Sequence, residues 1–335
     1  MKYLVTGGAG YIGSHTCVEL LNAGHDIVVF DNFYNSSAVS IDRVKQITGK
    51  DFKFYEADMC DQAAMDKIFE ENEIDAVVHF AGYKAVGESV AKPVMYFDNN
   101  LNGTLTLLKS MEKYGCKRIV FSSSATVYGD PATVPIKEDF PLHVTNPYGR
   151  TKLMIEDMLR DLYVSDNEWS IILLRYFNPV GAHESGLIGE NPKGKPNNIM
   201  PRITQVAVGR LPNVSVFGTD YDTKDGTGVR DYIHVVDLAK GHVKALDYAM
   251  THKEVLAVNL GTGNGYSVLE LITTFAKVNN VEVPYVLEAR RPGDIAACYA
   301  DPTKAKELFG WEAKLGLEEM CRDSWMWQSK NPEGF

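Results

Sequence analysis

The chain has 335 residues, 45% of them apolar and 23% charged, which is the balance of a globular protein able to bury a large core. A formal net charge of −10 disfavours a bulk nucleic-acid footprint, while leaving room for a local basic pocket that takes an anionic small molecule. The five cysteines, Cys17, Cys60, Cys116, Cys298 and Cys321, are scattered and never form a C-x-x-C pair. Their arrangement speaks against a disulfide framework and a zinc site and fits a reducing, cytoplasmic setting. MKYLVTGG has no apolar stretch ahead of its glycines and no run approaches ~18 apolar residues, so neither secretion nor a membrane span is expected.

In chain order, short apolar runs alternate with amphipathic ones. YLVT precedes IGSHTCVELLNAG, and DIVVFD precedes a helix-like stretch to about Gly49. FKFYEAD precedes MDKIFEEN, and DAVVHFAG precedes a long stretch to Tyr114. RIVFSSS leads to a helix carrying Tyr148, and SIILLRYFN follows it. This alternation predicts an α/β fold: a doubly wound parallel sheet over residues 1–177, with a smaller mixed α/β substrate domain over 178–335. The Gly/Pro/Asn-rich stretch GAHESGLIGENPKGKPNNIMP reads as a loop at the boundary. Residues 230–262, with VLAVNLGTG as one more strand, are expected to return to the first domain.

After the first strand comes a G-x-x-G-x-x-G loop, Gly7, Gly10 and Gly13, opening a helix. Glycines let backbone N–H groups approach a pyrophosphate, and the helix N-terminus adds partial positive charge. Asp31 ends the second strand 18 residues after Gly13, where a carboxylate accepts from a ribose hydroxyl and repels a 2′-phosphate. NAD is therefore expected rather than NADP. Asp58, ending the third strand, suits either the adenine amine or a solvated cap.

NPYGRTK places Tyr148 and Lys152 four residues apart behind an Asn-Pro helix start, one turn apart on one face. A phenol titrates near 10, so its use as a base at neutrality requires about three pKa units of stabilisation, roughly 4 kcal/mol, part of which a neighbouring ammonium can supply. Ser122, Ser123 and Ser124 end the fifth strand, at the carboxyl edge where ligands sit in such folds. Three serines also suit a plain turn; beside a dinucleotide, Ser124 can hydrogen-bond a reacting hydroxyl while Tyr148 takes its proton.

Together the glycine loop, Asp31, Ser124 and Y-x-x-x-K resemble the extended short-chain dehydrogenase/reductase superfamily. GGAGYIGSHT, HFAGYKAVGESV, NNLNGTL, SSSATVYGD, LRYFNPVGAH, PNNIMP, GTGVRDYIHVVDLA and RRPGD resemble its UDP-hexose 4-epimerase family over essentially the whole chain. That resemblance implies C4 inversion of a UDP-linked hexose with tightly held NAD, and a homodimer whose face is sought in 98–114 and the Tyr148 helix. For the cofactor it implies Gly7, Gly10, Tyr11, Ile12 and Gly13 at the pyrophosphate, Asp31 and Asn32 at the ribose, and Asp58 and Met59 at the adenine. Phe80, Ala81, Lys84, Asn99, Ser122 and Phe177 line the rest of the cofactor site, and Lys152 reaches the nicotinamide ribose. For the substrate it implies Ser124, Tyr148, Asn178, Asn198, Ile199, Val216, Phe217, Arg230, Arg291 and Asp294.

Cys298 falls where some family members carry a tyrosine that narrows the hexose pocket, which implies acceptance of N-acetylated sugars as well. A shift of one residue would put Tyr299 there instead. Two other readings compete. A 4,6-dehydratase needs an acid pair beside the catalytic hydroxyl, where this chain has Ala125 and Thr126. A non-catalytic NAD-binding regulator has no need of both Tyr148 and Lys152.

Overall fold

Near-continuous apolar runs bounded by glycine or aspartate become fully buried strands, and between them lie helices with one apolar face. The computed structural model describes residues 1–194, 196–291 and 293–335; Lys195 of the glycine-rich stretch and Pro292 of RRPGD lie outside them. In chain order the first half runs β1 (Lys2–Thr6), α1 (Tyr11–Asn22), β2 (Asp26–Asp31), α2 (Ala38–Thr48), β3 (Lys53–Glu56), α3 (Gln62–Glu71) and β4 (Ala76–His79). It continues through α4 (Val86–Ala91), α5 (Pro93–Phe97), α6 (Gly103–Lys113), β5 (Arg118–Ser122), α7 (Pro147–Ser165) and β6 (Ser170–Tyr176). The long stretch ending near Tyr114 is thus three helices, joined before α6 by one π-helical turn over Asp98–Asn102.

Beyond β6 come β7 (Asn178–Val180), α8 (Ile199–Ala207), β8 (Val214–Phe217), β9 (Val229–Arg230), β10 (Tyr232–His234), α9 (Val235–Ala249) and β11 (Val255–Leu260). The chain closes with β12 (Tyr266–Ser267), α10 (Val268–Asn279), β13 (Tyr285–Glu288), β14 (Ala297–Cys298), α11 (Thr303–Phe309) and α12 (Leu317–Lys330).

The central sheet has seven strands in the order β11-β6-β5-β4-β1-β2-β3, all parallel. Strand order reverses between β1 and β4, so their carboxyl ends open the crevice where such folds bind ligands. One core lies on the face covered by α1, α2 and α9; another lies on the face covered by α3, α6 and α7. The 255–260 run does return as an edge strand, with Val255 opposite Ile171 and Leu260 opposite Tyr176. The return extends further than the sequence suggests. Ala305, Phe309 and Trp311 also pack into the first core, and Trp311 Nε1 donates to the Asp237 carbonyl at 3.0 Å.

A third core, built from α8, β8, β10, α10 and α12, sits beside three small sheets, β10-β7, β12-β9-β14 and β13-β8. These small sheets carry the second wall of the crevice. Among the described residues no helix is long and apolar enough to cross a membrane.

Candidate active site

The cofactor-side wall begins at the β1–α1 turn. Gly7 has φ +69, and a Cβ there would stand 2.8 Å from the Ala81 nitrogen; one on Gly13 would stand 2.3 Å from the Gly7 carbonyl oxygen. Only glycine permits this turn. Helix α1 starts at Gly10 with no side-chain cap and no acidic residue in its first turn, so its free N–H groups and dipole remain available to an anion.

Asp31 is buried. Its Oδ2 accepts from Ala9 N at 3.1 Å and its Oδ1 from Phe33 N and Ser36 Oγ at 2.9 and 2.7 Å. Asn32 donates to Asp58 Oδ2 at 3.1 Å, joining the ends of β2 and β3. Ile12 packs on the first core, while Met59 is buried against Gly103 in the second. Phe80 and Ala81 follow β4, and Thr6 accepts from both: its carbonyl from Phe80 N at 3.1 Å, its hydroxyl from Ala81 N at 3.3 Å. A glycine cradle at an uncapped helix start, with a carboxylate at the next strand end, fits a dinucleotide with an unphosphorylated ribose. Gly7, Gly10, Tyr11, Gly13 and Asp31 are the residues that would hold it.

The catalytic wall is set by α7. Asn146 caps it by accepting from Gly149 N at 2.8 Å, and Pro147 occupies the first turn. This fixes the helix start one residue before Tyr148. A buried ion pair locks the helix to the sheet: Arg175 Nη2 and Nε meet Glu156 Oε2 and Oε1 at 2.6 and 2.9 Å. Ser123 adds a 2.5 Å hydrogen bond to the same carboxylate. Burial pushes the Glu156 carboxyl up, but the guanidinium and the Ser123 hydroxyl outweigh it and hold the group below its ordinary value.

Lys152 is buried, donates to the Ser122 carbonyl at 2.7 Å, and lies 5.8 Å from the Tyr148 ring centroid. Burial pulls its ammonium down to about 8. Burial likewise pushes the Tyr148 phenol up to about 12, with the Ser124 hydroxyl pulling the other way. The expected depression of the phenol by the ammonium is therefore corrected: in the protein alone, desolvation of both groups wins. Ser124 Oγ accepts from Thr126 N and Thr126 Oγ1 at 3.2 and 3.0 Å, which leaves its own proton free to donate into the crevice. Ser122 Oγ hydrogen-bonds the Tyr176 hydroxyl.

On the opposite wall, Phe177 is buried with Ala125 in a small cluster against which Cys298 packs. Parallel pairing sets Cys298 beside Arg230, and the Cys298 carbonyl accepts from Asp231 N at 3.0 Å. Tyr299 leaves the strand on the other side: a methyl on Gly265 would meet its Cδ1 at 3.0 Å. Cys298, not Tyr299, is thus the residue beside Ala125 and Phe177. Asn178, half-buried, is tied to the Asp231 carbonyl at 3.0 Å through its backbone. Arg291 grips Asp294 with two hydrogen bonds, 2.8 and 3.2 Å, and lies 4.7 Å above the Phe217 ring.

Arg230 is folded onto the Val229 and Ile295 carbonyls at 2.8 and 3.0 Å. Val216 turns its side chain into the third core, fully buried, so only its backbone or its neighbour Phe217 meets the crevice. Asn198 and Ile199 open α8, and Asn198 donates to Glu190 at 2.6 Å, the carboxylate that also holds Lys84. Asn99 donates to Asn100 at 2.9 Å. Buried Asn100, Tyr176, Glu156 and Arg175 support the site, yet no sequence signal pointed to them. Asn100 lay inside the motif NNLNGTL, and Arg175 and Tyr176 inside LRYFNPVGAH, whereas Glu156 lay in none.

Fold and crevice together define a nucleotide-binding enzyme of the extended short-chain dehydrogenase/reductase type. The family model described as GDP-mannose 4,6 dehydratase matches residues 4–324. A UDP-glucose 4-epimerase of Bacillus subtilis (strain 168) is 68% identical over 335 residues, covering 100% of this chain and 99% of the relative. The crystal structure of UDP-glucose 4-epimerase from Bifidobacterium longum in complex with NAD+ and UDP superposes with a TM-score of 0.97 at 58% identity, over 100% of both chains. That of the Stenotrophomonas maltophila enzyme, with bound NAD and formylated UDP-arabinopyranose, does so with a TM-score of 0.97 at 51% identity, over 98% of both. The chain belongs to the UDP-glucose 4-epimerase family.

Proposed function

We propose that this protein interconverts UDP-galactose and UDP-glucose by inverting C4 through a transient 4-keto sugar, with NAD resident in the glycine cradle. The observation that carries the proposal is the convergence of Tyr148, Ser124 and Lys152 on the crevice that opens beyond Gly7–Gly13. NAD supplies the hydride acceptor and donor and brings positive charge to the site. Tyr148, half-buried at the start of α7, takes the O4 proton and later returns it. Ser124, with both acceptor positions engaged by Thr126, donates to O4 and orients it.

Lys152 keeps a cation beneath the phenol, and that charge matters because a group at about 12 is a poor base until positive charge gathers around it. The diphosphate falls to Arg230 and Arg291, whose forks suit it; Phe217, Asn178 and Asn198 complete the nucleotide side. Elimination chemistry lacks its acid and base at Ala125 and Thr126.

Cys298 packs where a ring would otherwise fill the space beside Ala125 and Phe177, and this supports a hexose pocket wide enough for a 2-acetamido group. UDP-N-acetylglucosamine and UDP-N-acetylgalactosamine are therefore substrates in this reading. A homodimer is proposed through α6 and α7 and the short helices before them, where Val94, Leu105 and Met154 expose apolar side chains. The five unpaired cysteines support a reducing, cytoplasmic location.

The test is NMR of the anomeric protons after incubating the protein, without added cofactor, with UDP-galactose and separately with UDP-N-acetylgalactosamine. Conversion of both is expected. Conversion of UDP-galactose alone removes the wide-pocket reading, and no conversion of either, with NAD added, removes the epimerase reading.

A further inference from the structure

The loops that follow β2 and β4 reach toward each other across the end of β1. In the sheet β1 lies between these two strands, so at ~4.8 Å per strand their ends stand roughly 10 Å apart. Two aromatic rings close that gap. Tyr34, just beyond β2, and Tyr83, just beyond β4, have ring centroids 4.6 Å apart at an interplanar angle of 42°. The glycine turn that would hold a dinucleotide leaves the sheet between them, with Gly7 tied to the Phe30 carbonyl at 2.7 Å on one side and tight against Ala81 on the other.

The two rings are mounted differently. Tyr83 is a fixed post: its N–H donates to Asn100 Oδ1 at 2.8 Å, and Asn100 Nδ2 donates back to its carbonyl at 3.1 Å. Behind its ring, 5.5 Å away, stands Tyr96. Tyr96 is fully buried, and its hydroxyl is held by Glu88 Oε2 at 3.1 Å and Ala85 N at 3.0 Å. Tyr34 is the free leaf, 50% exposed, with only its backbone secured, its N–H donating to Asn32 Oδ1 at 3.0 Å.

The chain accepts strain to place that leaf. Phe33 has φ +54, a left-handed conformation that is an outlier for a bulky residue. The turn sends the Phe33 ring against Phe54, 5.1 Å away, and its carbonyl to Lys193 Nζ at 2.6 Å, while Tyr34 is thrown out toward Tyr83. A half-exposed ring gains little from surface packing alone, so strain spent on its position points to a ligand beneath it. The groups around Tyr83 say which part of the ligand: burial first, then Tyr34, Asp58, Cys60 and Glu88, push its phenol up, and Asp58 ends β3 at the adenine side.

We infer that Tyr34 and Tyr83 form a latch over the adenosine end of the cofactor site, Tyr83 the post and Tyr34 the leaf that swings aside when NAD enters or leaves. The pair then governs how fast bound NAD exchanges with the solution. This rests on the NAD assignment made above and needs no UDP-hexose, so its failure is separate from that of the epimerase reading.

The experiment is cofactor exchange. The NAD-containing protein is incubated with excess isotope-labelled NAD, and mass spectrometry of the retained cofactor follows the replacement with time. Tyr34→Ala and Tyr83→Leu should each exchange at least about tenfold faster than wild type, as loss of an aromatic contact implies. Tyr34→Phe keeps the ring and should exchange within about twofold of wild type. The double variant Tyr34→Ala, Tyr83→Leu should be no faster than the faster single one, because either change already opens the latch.

Exchange at the wild-type rate in both single variants overturns the inference. So does a Tyr34→Phe variant as fast as Tyr34→Ala, and so do gains that multiply in the double variant, since rings acting separately make no latch. Thermal melts of the NAD-loaded proteins identify any variant that fails to fold; Tyr34, half in solvent, can be cut back without opening a core, so its two variants decide the matter.

Discussion

Replacing Lys152 by methionine should make the cofactor-free protein more stable while abolishing turnover. The lysine is 5% exposed and its ammonium is pulled from 10.5 to about 8 by burial. At 1.36 kcal/mol per pKa unit, keeping it charged at pH 7 costs the folded state about 3 kcal/mol. Methionine removes that cost and fits a similar volume, but it forfeits the 2.7 Å hydrogen bond to the Ser122 carbonyl, worth roughly 1–2 kcal/mol. A net gain of about 1–2 kcal/mol at pH 7 is expected from the two magnitudes.

The sign of the pH dependence distinguishes this origin from general repacking. Because the folded pKa lies below the unfolded one, the cost is fully present below about pH 8, fades as pH rises from there towards the unfolded value of 10.5, and is gone once the unfolded chain has also lost the proton. Urea unfolding of the two cofactor-free proteins should therefore show the gap narrowing by about 2 kcal/mol between pH 7 and pH 9.5. A variant less stable than wild type at pH 7, with a gap that pH does not move, would refute the reasoning. The wild-type lysine would then be an instance of stability conceded to function only in name.

Tyr148→Phe should retain bound NAD and UDP affinity and lose turnover by about 10³-fold, the range for removing a proton-transfer group; activity within tenfold of wild type would reassign the base. Cys298→Tyr should cut turnover of UDP-N-acetylgalactosamine at least about tenfold against a few-fold for UDP-galactose, since a methylene-sized or larger clash discriminates by 1–3 kcal/mol; equal losses would mean the side chain does not face the sugar. Arg175→Leu strands the Glu156 carboxylate and should destabilise by about 3–5 kcal/mol in urea. The combined Arg175→Leu, Glu156→Leu variant should recover most of this, and failure to recover would show that the pair contributes more than its mutual compensation.

Local chemistry made much of the site readable. Gly7, Gly10 and Gly13 announce themselves because a turn of that tightness admits no side chain, and Asp31 because a strand end has a fixed distance from it along the chain. Tyr148 and Lys152 follow from helical spacing once Asn146 and Pro147 mark the helix start. What stayed hidden depends on partners far away in sequence. Glu156 drew no reading, since nothing local in α7 reveals that Arg175 rises from β6 to meet it beside Arg160.

Glu190 sits in a stretch that composition marks as loop, and only the approach of Lys84 and Asn198 gives it a place. The return of Ala305, Phe309 and Trp311 to the first core was equally silent: a short apolar run near the chain end looks the same whichever core receives it. The phenol's direction was misjudged for a related reason. Spacing tells that an ammonium is near, but the strength of desolvation is set by the whole surrounding fold.

The edge strand β11 has a consequence for how the chain is made. Its partner β6 is fully buried along its length, and in the finished sheet every one of its residues from Ile171 to Tyr176 lies beside a residue of 255–260. During synthesis β6 emerges long before that strand exists, so a nascent chain ending near residue 250 presents an apolar, unpaired row of backbone N–H and C=O groups, a template for association with other chains. A fragment of residues 1–177, cut where the first run of alternating elements ends, would carry the same open edge permanently and would also lack α9. The nucleotide cradle is thus not a portable module; the last third of the chain has to be present before the first half is finished.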